Sequence, residues 1–83
     1  MVKFEVKNEK LYINDKEVLK AWESFSGWFW FGVEKIDEET WFGFVQGLED
    51  EWGYFSETEL EELEKEGKVW EIKKRDLLFA GRR

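Results

Sequence analysis

The chain has 83 residues and a formal net charge of −7, with no Cys, no His and no Pro. Missing thiols exclude disulfides, zinc ribbons and Cys nucleophiles, and missing imidazole removes the usual proton shuttle near neutral pH. A chain this short buries only roughly 60% of the surface it exposes when unfolded, so it needs bulky core residues in place of staples; six Trp, eight Phe and two Tyr supply them.

No apolar run reaches the length of a membrane span. The start, Met1-Val2-Lys3-Phe4-Glu5, lacks the apolar stretch of a signal peptide, so a single cytoplasmic domain is expected. Lys and Glu dominate the charged residues, as in many hyperthermophile proteins, while the absence of Pro runs against that trend. From Glu34 to Glu66 there are thirteen acids and two bases, a net of −11; the remaining seven acids and eleven bases give +4. An acidic half of this kind repels phosphate, so duplex nucleic acid is not an expected partner.

In chain order, Val2 to Lys7 alternates apolar and charged residues and predicts a half-buried strand. Asn8-Glu9 predicts a turn, Leu11 to Ile13 a returning strand, and Asn14-Asp15 a second turn. Residues 17–25 fit either a short helix or a strand. Residues 27–48 predict an aromatic-rich hairpin, with a four-residue loop at 37–40. Setting Ile36 opposite Trp41 pairs Val33 with Phe44, Gly32 with Val45 and Trp30 with Gly47. Phe29, Phe31, Val33, Phe42, Phe44 and Leu48 then share one side. Trp28, Trp30, Gly32, Glu34, Trp41, Gly43, Val45 and Gly47 share the other, where Trp rings over cross-strand glycines would stabilise the sheet.

Trp52 to Phe55 predicts another strand. Ser56-Glu57-Thr58-Glu59 has the pattern of a capping box, and Phe55 with Leu60 that of a hydrophobic staple. A short helix over 57–66 follows, with acids at its positive end and Gly67 as its stop. Val69 to Ile72 predicts a strand, Leu77 to Phe79 a further one, and Arg82-Arg83 a frayed tail. The fold class is α+β: a mainly antiparallel sheet with one short helix.

The segments Ser26-Gly27-Trp28-Phe29-Trp30, Trp41-Phe42-Gly43-Phe44-Val45-Gln46-Gly47-Leu48 and Gly53-Tyr54-Phe55-Ser56-Glu57-Thr58-Glu59-Leu60, with the late Arg75-Asp76-Leu77-Leu78-Phe79, resemble the domain-of-unknown-function 2958 family. Its members are small proteins of bacterial and archaeal genomes, often on mobile elements. The likeness covers about residues 26–79, and the first 25 residues lie outside it. It implies a fold but no activity.

The acidic clusters Asp37-Glu38-Glu39 and Glu49-Asp50-Glu51 lack the spacing and bend of a calcium loop. No metal and no cofactor is expected. Paired carboxylates can hydrolyse glycosides, but only in a deep cleft. Lys73-Lys74-Arg75 is a weak footprint for single-stranded nucleic acid. The Trp side of the hairpin is the better candidate, because Trp is enriched in binding hot spots; it must be covered by the N-terminal segment, by the helix or by a partner. The expectation is a non-enzymatic protein-binding or regulatory module. Trp28, Trp30 and Trp41 are its anchors, with Glu34, Glu49, Asp50 and Glu51 as a charged rim. The expected partner is a protein with a basic surface, and not a membrane. The alternatives are a nucleic-acid-related role, by single-strand binding or charge mimicry, and a small carboxylate enzyme or sugar binder.

Overall fold

The computed structural model describes residues 2–78. The chain starts as a three-stranded antiparallel meander, β1 (Phe4–Lys7), β2 (Lys10–Ile13) and β3 (Lys16–Glu17). Its two turns are centred on Asn8-Glu9 and Asn14-Asp15, all four at positive φ, as tight hairpin turns matching the strand twist require. Asn14 also ties the meander together: its side chain accepts from the Lys3 N–H at 2.8 Å, and its own N–H reaches the Lys3 carbonyl at 2.9 Å.

Residues 18 and 19 then hand the chain over between sheets. The Val18 N–H bonds to Leu11 in β2, and the Leu19 N–H bonds to Gly32 in the next sheet. That second sheet is antiparallel throughout, in the order β7-β6-β5-β4-β8. Its members are β4 (Lys20–Ser24), β5 (Phe29–Lys35), β6 (Thr40–Gln46), β7 (Asp50–Ser56) and β8 (Val69–Glu71). The ambiguous residues 17–25 therefore hold a strand, because Ala21 and Trp22 are both fully buried, one on each face. Burial on two faces erases the alternation that marks a half-buried strand.

One face carries Ala21, Phe29, Phe31 and Phe44, packed on Leu11 and Ile13 from the meander, with Ile72 and Leu77 closing the margin. Phe4 meets Phe31 and Phe44 edge-on, at 5.5 and 6.1 Å between ring centres. The other face carries Trp22 and Trp41 and is covered by α1 (Glu57–Lys65) through Leu60 and Leu63, with Val69, Trp30 and Phe55 alongside. The layers run meander, five-stranded sheet, helix. The fold is α+β and mainly antiparallel.

The α1 helix starts and stops as its residues dictate. The Ser56 side chain accepts from the Glu59 N–H at 3.1 Å, and Phe55 and Leu60 share one cluster as a staple would. At the far end Gly67 sits at φ +75. Its N–H bonds to Glu64 and that of Lys68 to Leu63, the paired bonds of a Schellman stop.

Four expectations need correcting. The β5–β6 register is shifted: Phe31 faces Phe44, Gly32 faces Gly43 and Trp30 faces Val45, while nearer the turn Lys35 faces Trp41. The turn closes more tightly than a free four-residue loop, because the Asp37 carboxylate accepts from the N–H groups of Glu39 and Thr40. A bulge at Val33 adds a second offset and moves Glu34 opposite Phe42, off the Trp face. Leu48 lies in the β6–β7 turn and is 93% exposed, so it is not core. Finally, where a strand was expected over 77–79, Leu77 ends a one-turn helix, α2 (Lys74–Leu77), and Leu78 is its C-cap; Phe79 and the Arg82-Arg83 tail lie outside the described residues.

Two stability predictions follow from this packing. Replacing Ser56 by Ala should cost about 1 kcal/mol, the usual size of a lost N-cap, read as a lower urea midpoint at unchanged slope. Trp22→Ala and Phe44→Ala should each cost about 3–5 kcal/mol, because each side chain is buried at the centre of its own face. A much milder effect of Trp22→Ala in denaturant titration would contradict a second core layer under α1.

Candidate functional site

Three structural features could carry function: a polar knot under the helix start, an apolar groove at the other end of the helix, and the acidic rim. The knot is built on Glu57, the first residue of α1. One carboxylate oxygen accepts from the Trp41 indole N–H at 2.7 Å and from Lys35 at 2.5 Å; the other accepts from Lys20 at 3.0 Å. Lys20 and Lys35 also lie over the rings of Trp22 and Trp41, at 5.3 and 5.0 Å from the ring centres. Partial burial alone would push the Glu57 carboxyl up, but the hydrogen bonds from Lys35, Trp41 and Lys20 outweigh it and hold the group down at about 2. Burial would likewise lower Lys20, yet Glu57 and Glu71 raise it above its ordinary value. Every strong donor near this carboxylate is already engaged, so the knot is a fastening between helix and sheet. The helix start is also tied to the β5–β6 turn, by the Glu57 N–H to the Glu39 carbonyl and the Thr58 hydroxyl to the Glu39 side chain.

The groove lies where the β4–β5 turn, the tail of α1 and the start of β8 meet. It holds about 200 Å³ and is lined by Phe25, Trp28, Trp30, Leu63 and Val69, with Ser24, Ser26 and Lys68 at its polar edge. Its turn is held firmly. The Ser24 hydroxyl accepts from the Trp28 N–H at 3.0 Å and meets the Ser26 hydroxyl at 2.9 Å. Backbone bonds join Ser24 to Trp28 and Gly27, and Phe25 to the Lys68 carbonyl. Gly27 supplies the positive φ of +88 that the turn needs. Phe25 sits on this braced backbone and is nevertheless 73% exposed. Trp28 and Trp30 stand 6.0 Å apart between ring centres, and the Trp28 ring covers Gly47, where a Cβ would fall 2.4 Å from it.

The expected site residues are divided by this arrangement. Trp28 and Trp30 come together in the groove and stay half-buried. Trp41 does not join them: it is 6% exposed, lies over Gly32, and packs edge-on against Trp22 beneath α1. The helix covers it, so it cannot anchor a partner. Glu34 is exposed on the side of Phe42. Glu49, Asp50 and Glu51 are exposed at the β6–β7 turn and the start of β7; Glu51 is in the same cross-strand row as Val45 and Trp30.

Sequence reasoning missed Phe25, Leu63 and Val69 as groove walls, and missed Glu57 as the knot. For Phe25 a signal existed, since Ser24, Ser26 and Gly27 are turn residues around a large apolar side chain. Glu57 gave none: an acid in the first turn of a helix is ordinary, and its partners come from 22 and 37 residues away. Among the described residues, no three carboxylates gather as a cation site, and no helix is long and apolar enough to cross a membrane.

No family model matches the chain, and neither a curated protein nor a solved structure shows significant similarity to it.

The knot predicts a pH dependence. Glu57 has a folded pKa of about 2 against an ordinary 4.5, so its contribution is fully present above pH 4.5 and is lost as pH falls through 2. Glu57→Gln should therefore destabilise the protein by about 2 kcal/mol at neutral pH. The gap from wild type should close as pH drops from 4.5 towards 2. Denaturant midpoints of both proteins across that range are the check, and a pH-independent gap would mean that packing, not charge, is lost.

Proposed function

We propose that the protein is a non-enzymatic protein-binding module whose contact site is the groove bounded by Phe25, Trp28 and Trp30. The observation that carries this reading is the exposed Phe25 ring on a turn held by hydrogen bonds on both sides. A large aromatic on an already ordered backbone, beside half-buried Trp rings, loses little backbone freedom on binding. The surroundings shape the partner. Of the elements beside the groove, α1 lies in the stretch with net charge −11 and brings its glutamates to one flank, and Lys68 at the groove edge is already paired with Glu66 at 2.9 Å. A partner with an apolar side chain for the groove and basic residues around it would be steered here and held in register.

The test compares Phe25→Ala with Leu48→Ala, since both side chains are largely exposed and both variants should stay within about 0.5 kcal/mol of wild type. Proteins captured from native lysate by immobilised wild type and retained by Leu48→Ala should drop at least tenfold on Phe25→Ala. Retention of the same proteins by Phe25→Ala would remove the groove from the contact site.

A further inference from the structure

The sheet has two edges of different character. β8 is three residues long, and its neighbourhood is occupied by the end of α1. β7 is seven residues long, pairs along its whole length with β6, and among the described residues has no neighbour on its outer side. Proteins usually blunt such an edge with Lys, Pro, a bulge or a short strand. β7, Asp-Glu-Trp-Gly-Tyr-Phe-Ser, contains no Lys and no Pro, and its pairing with β6 runs without a register shift. Its outward N–H and C=O groups form a ready ladder for another strand.

The side chains along β7 specify what that strand should carry. Two glycines elsewhere on this sheet face are roofed by Trp rings: Gly32 by Trp41 and Gly47 by Trp28. Gly53, at the centre of β7, has no heavy atom within 4 Å of the position a Cβ would take. It is flanked on its face by Glu51 and Phe55, the alternate positions of the strand. On the opposite face Tyr54 is 70% exposed beside Phe42 and Trp52.

We propose that the β7 edge accepts an extended peptide strand that places an aromatic side chain over Gly53 and a Lys or Arg beside Glu51. Antiparallel addition sets an apolar residue next to Phe55, the aromatic next to Gly53 and the base next to Glu51, at alternate positions in that order. This repeats between chains the ring-over-glycine packing used twice within the sheet. Charge selects against a second copy of this chain as the occupant: the chain carries −7, and β7 itself holds two acids and no base. A single added strand pair is also much smaller than the roughly 1,200–2,000 Å² of a stable protein interface.

The probe is a capped peptide, Thr-Val-Thr-Trp-Thr-Lys-Thr, titrated into the intact protein at physiological salt by fluorescence anisotropy. It should bind at least tenfold more tightly than the same peptide with Glu for Lys, and alternate backbone N-methylation on its ladder-forming edge should abolish binding. Glu51→Lys should reverse the Lys-over-Glu preference. Gly53→Val should fold normally, since its Cβ position is open, yet weaken the Trp peptide about tenfold while leaving a peptide with Ala for Trp unchanged. With wild-type protein, amide exchange should slow along β7 and not around Phe25. Any of four results would overturn the proposal: no binding, full binding by the N-methylated peptide, protection around Phe25 instead of β7, or sedimentation as a dimer whose β7 amides are protected without peptide. Because Phe25 and Leu48 lie outside β7, failure here leaves the groove reading to its own test.

Discussion

Everything in this protein depends on covering both faces of one narrow, aromatic sheet. A sheet of five strands with Phe on one side and Trp on the other cannot leave either side in water at this chain length. The meander covers the Phe side and α1 the Trp side, so neither layer is an accessory. The helix is nine residues long and mostly charged outward, too short to persist alone. It persists because its few apolar side chains land on Trp22, Trp41 and Val69, and because its first residue is fastened below.

The Glu57 knot gives that landing a direction. Hydrophobic contact alone would let a short amphipathic helix slide or rotate over indole rings, since apolar attraction has no preferred bearing. A carboxylate held by two lysines and an indole N–H has one position, and those donors come from β4, β5 and β6. The ion pairs are only partly buried, which keeps the desolvation penalty moderate. The same two lysines lie over Trp22 and Trp41, so their stems roof the rings at the helix start. The charge pattern and the second core layer are thus one arrangement. An acidic stretch of the sequence contains the one acid on which the helix docking turns.

How much of this was legible follows from how local each cause is. The turns at Asn8 and Asn14, the Ser56 cap, the Gly67 stop and the α+β class are decided within a few residues, and sequence reading reached them. Most of the hairpin's facing was also legible, because a period of two survives the register error of two over residues 29–32 and 43–46; Glu34, beyond the bulge, changed sides. The register itself was not, since it depends on an Asp37 side chain closing the turn and on a bulge at Val33 that no residue type announces. The placement of Trp41 was undecidable from pattern: a Trp opposite glycines suits a binding face and a helix-covered core equally well. Only the reach of α1, set by Glu57 contacts across 16 to 37 residues, decides it. Trp28 and Trp30 escape because the helix ends at Lys65, ahead of its Gly67 stop, and the braced turn carrying Phe25 leaves a groove beyond Leu63.

The two candidate contact surfaces arise from the same shortage of cover. One nine-residue helix spans about 14 Å, whereas the whole described structure measures 33 by 25 by 24 Å. Placed over the sheet centre and fixed at the β5–β6 turn, it reaches the groove with its tail and leaves the β7 edge beyond its flank. A longer helix would close the groove. A lysine or proline in β7 would shield the edge by the usual means. The chain has neither device, although lysines are plentiful elsewhere in it. What guards β7 instead is negative charge, from Asp50 and Glu51 at its start and from the glutamates of α1 after it. Such a guard is selective: it keeps like-charged copies apart in solution and is neutralised by a basic strand. The proposed preference of this edge for a basic strand rests on that charge: Asp50 and Glu51 repel a like-charged strand and attract a basic one.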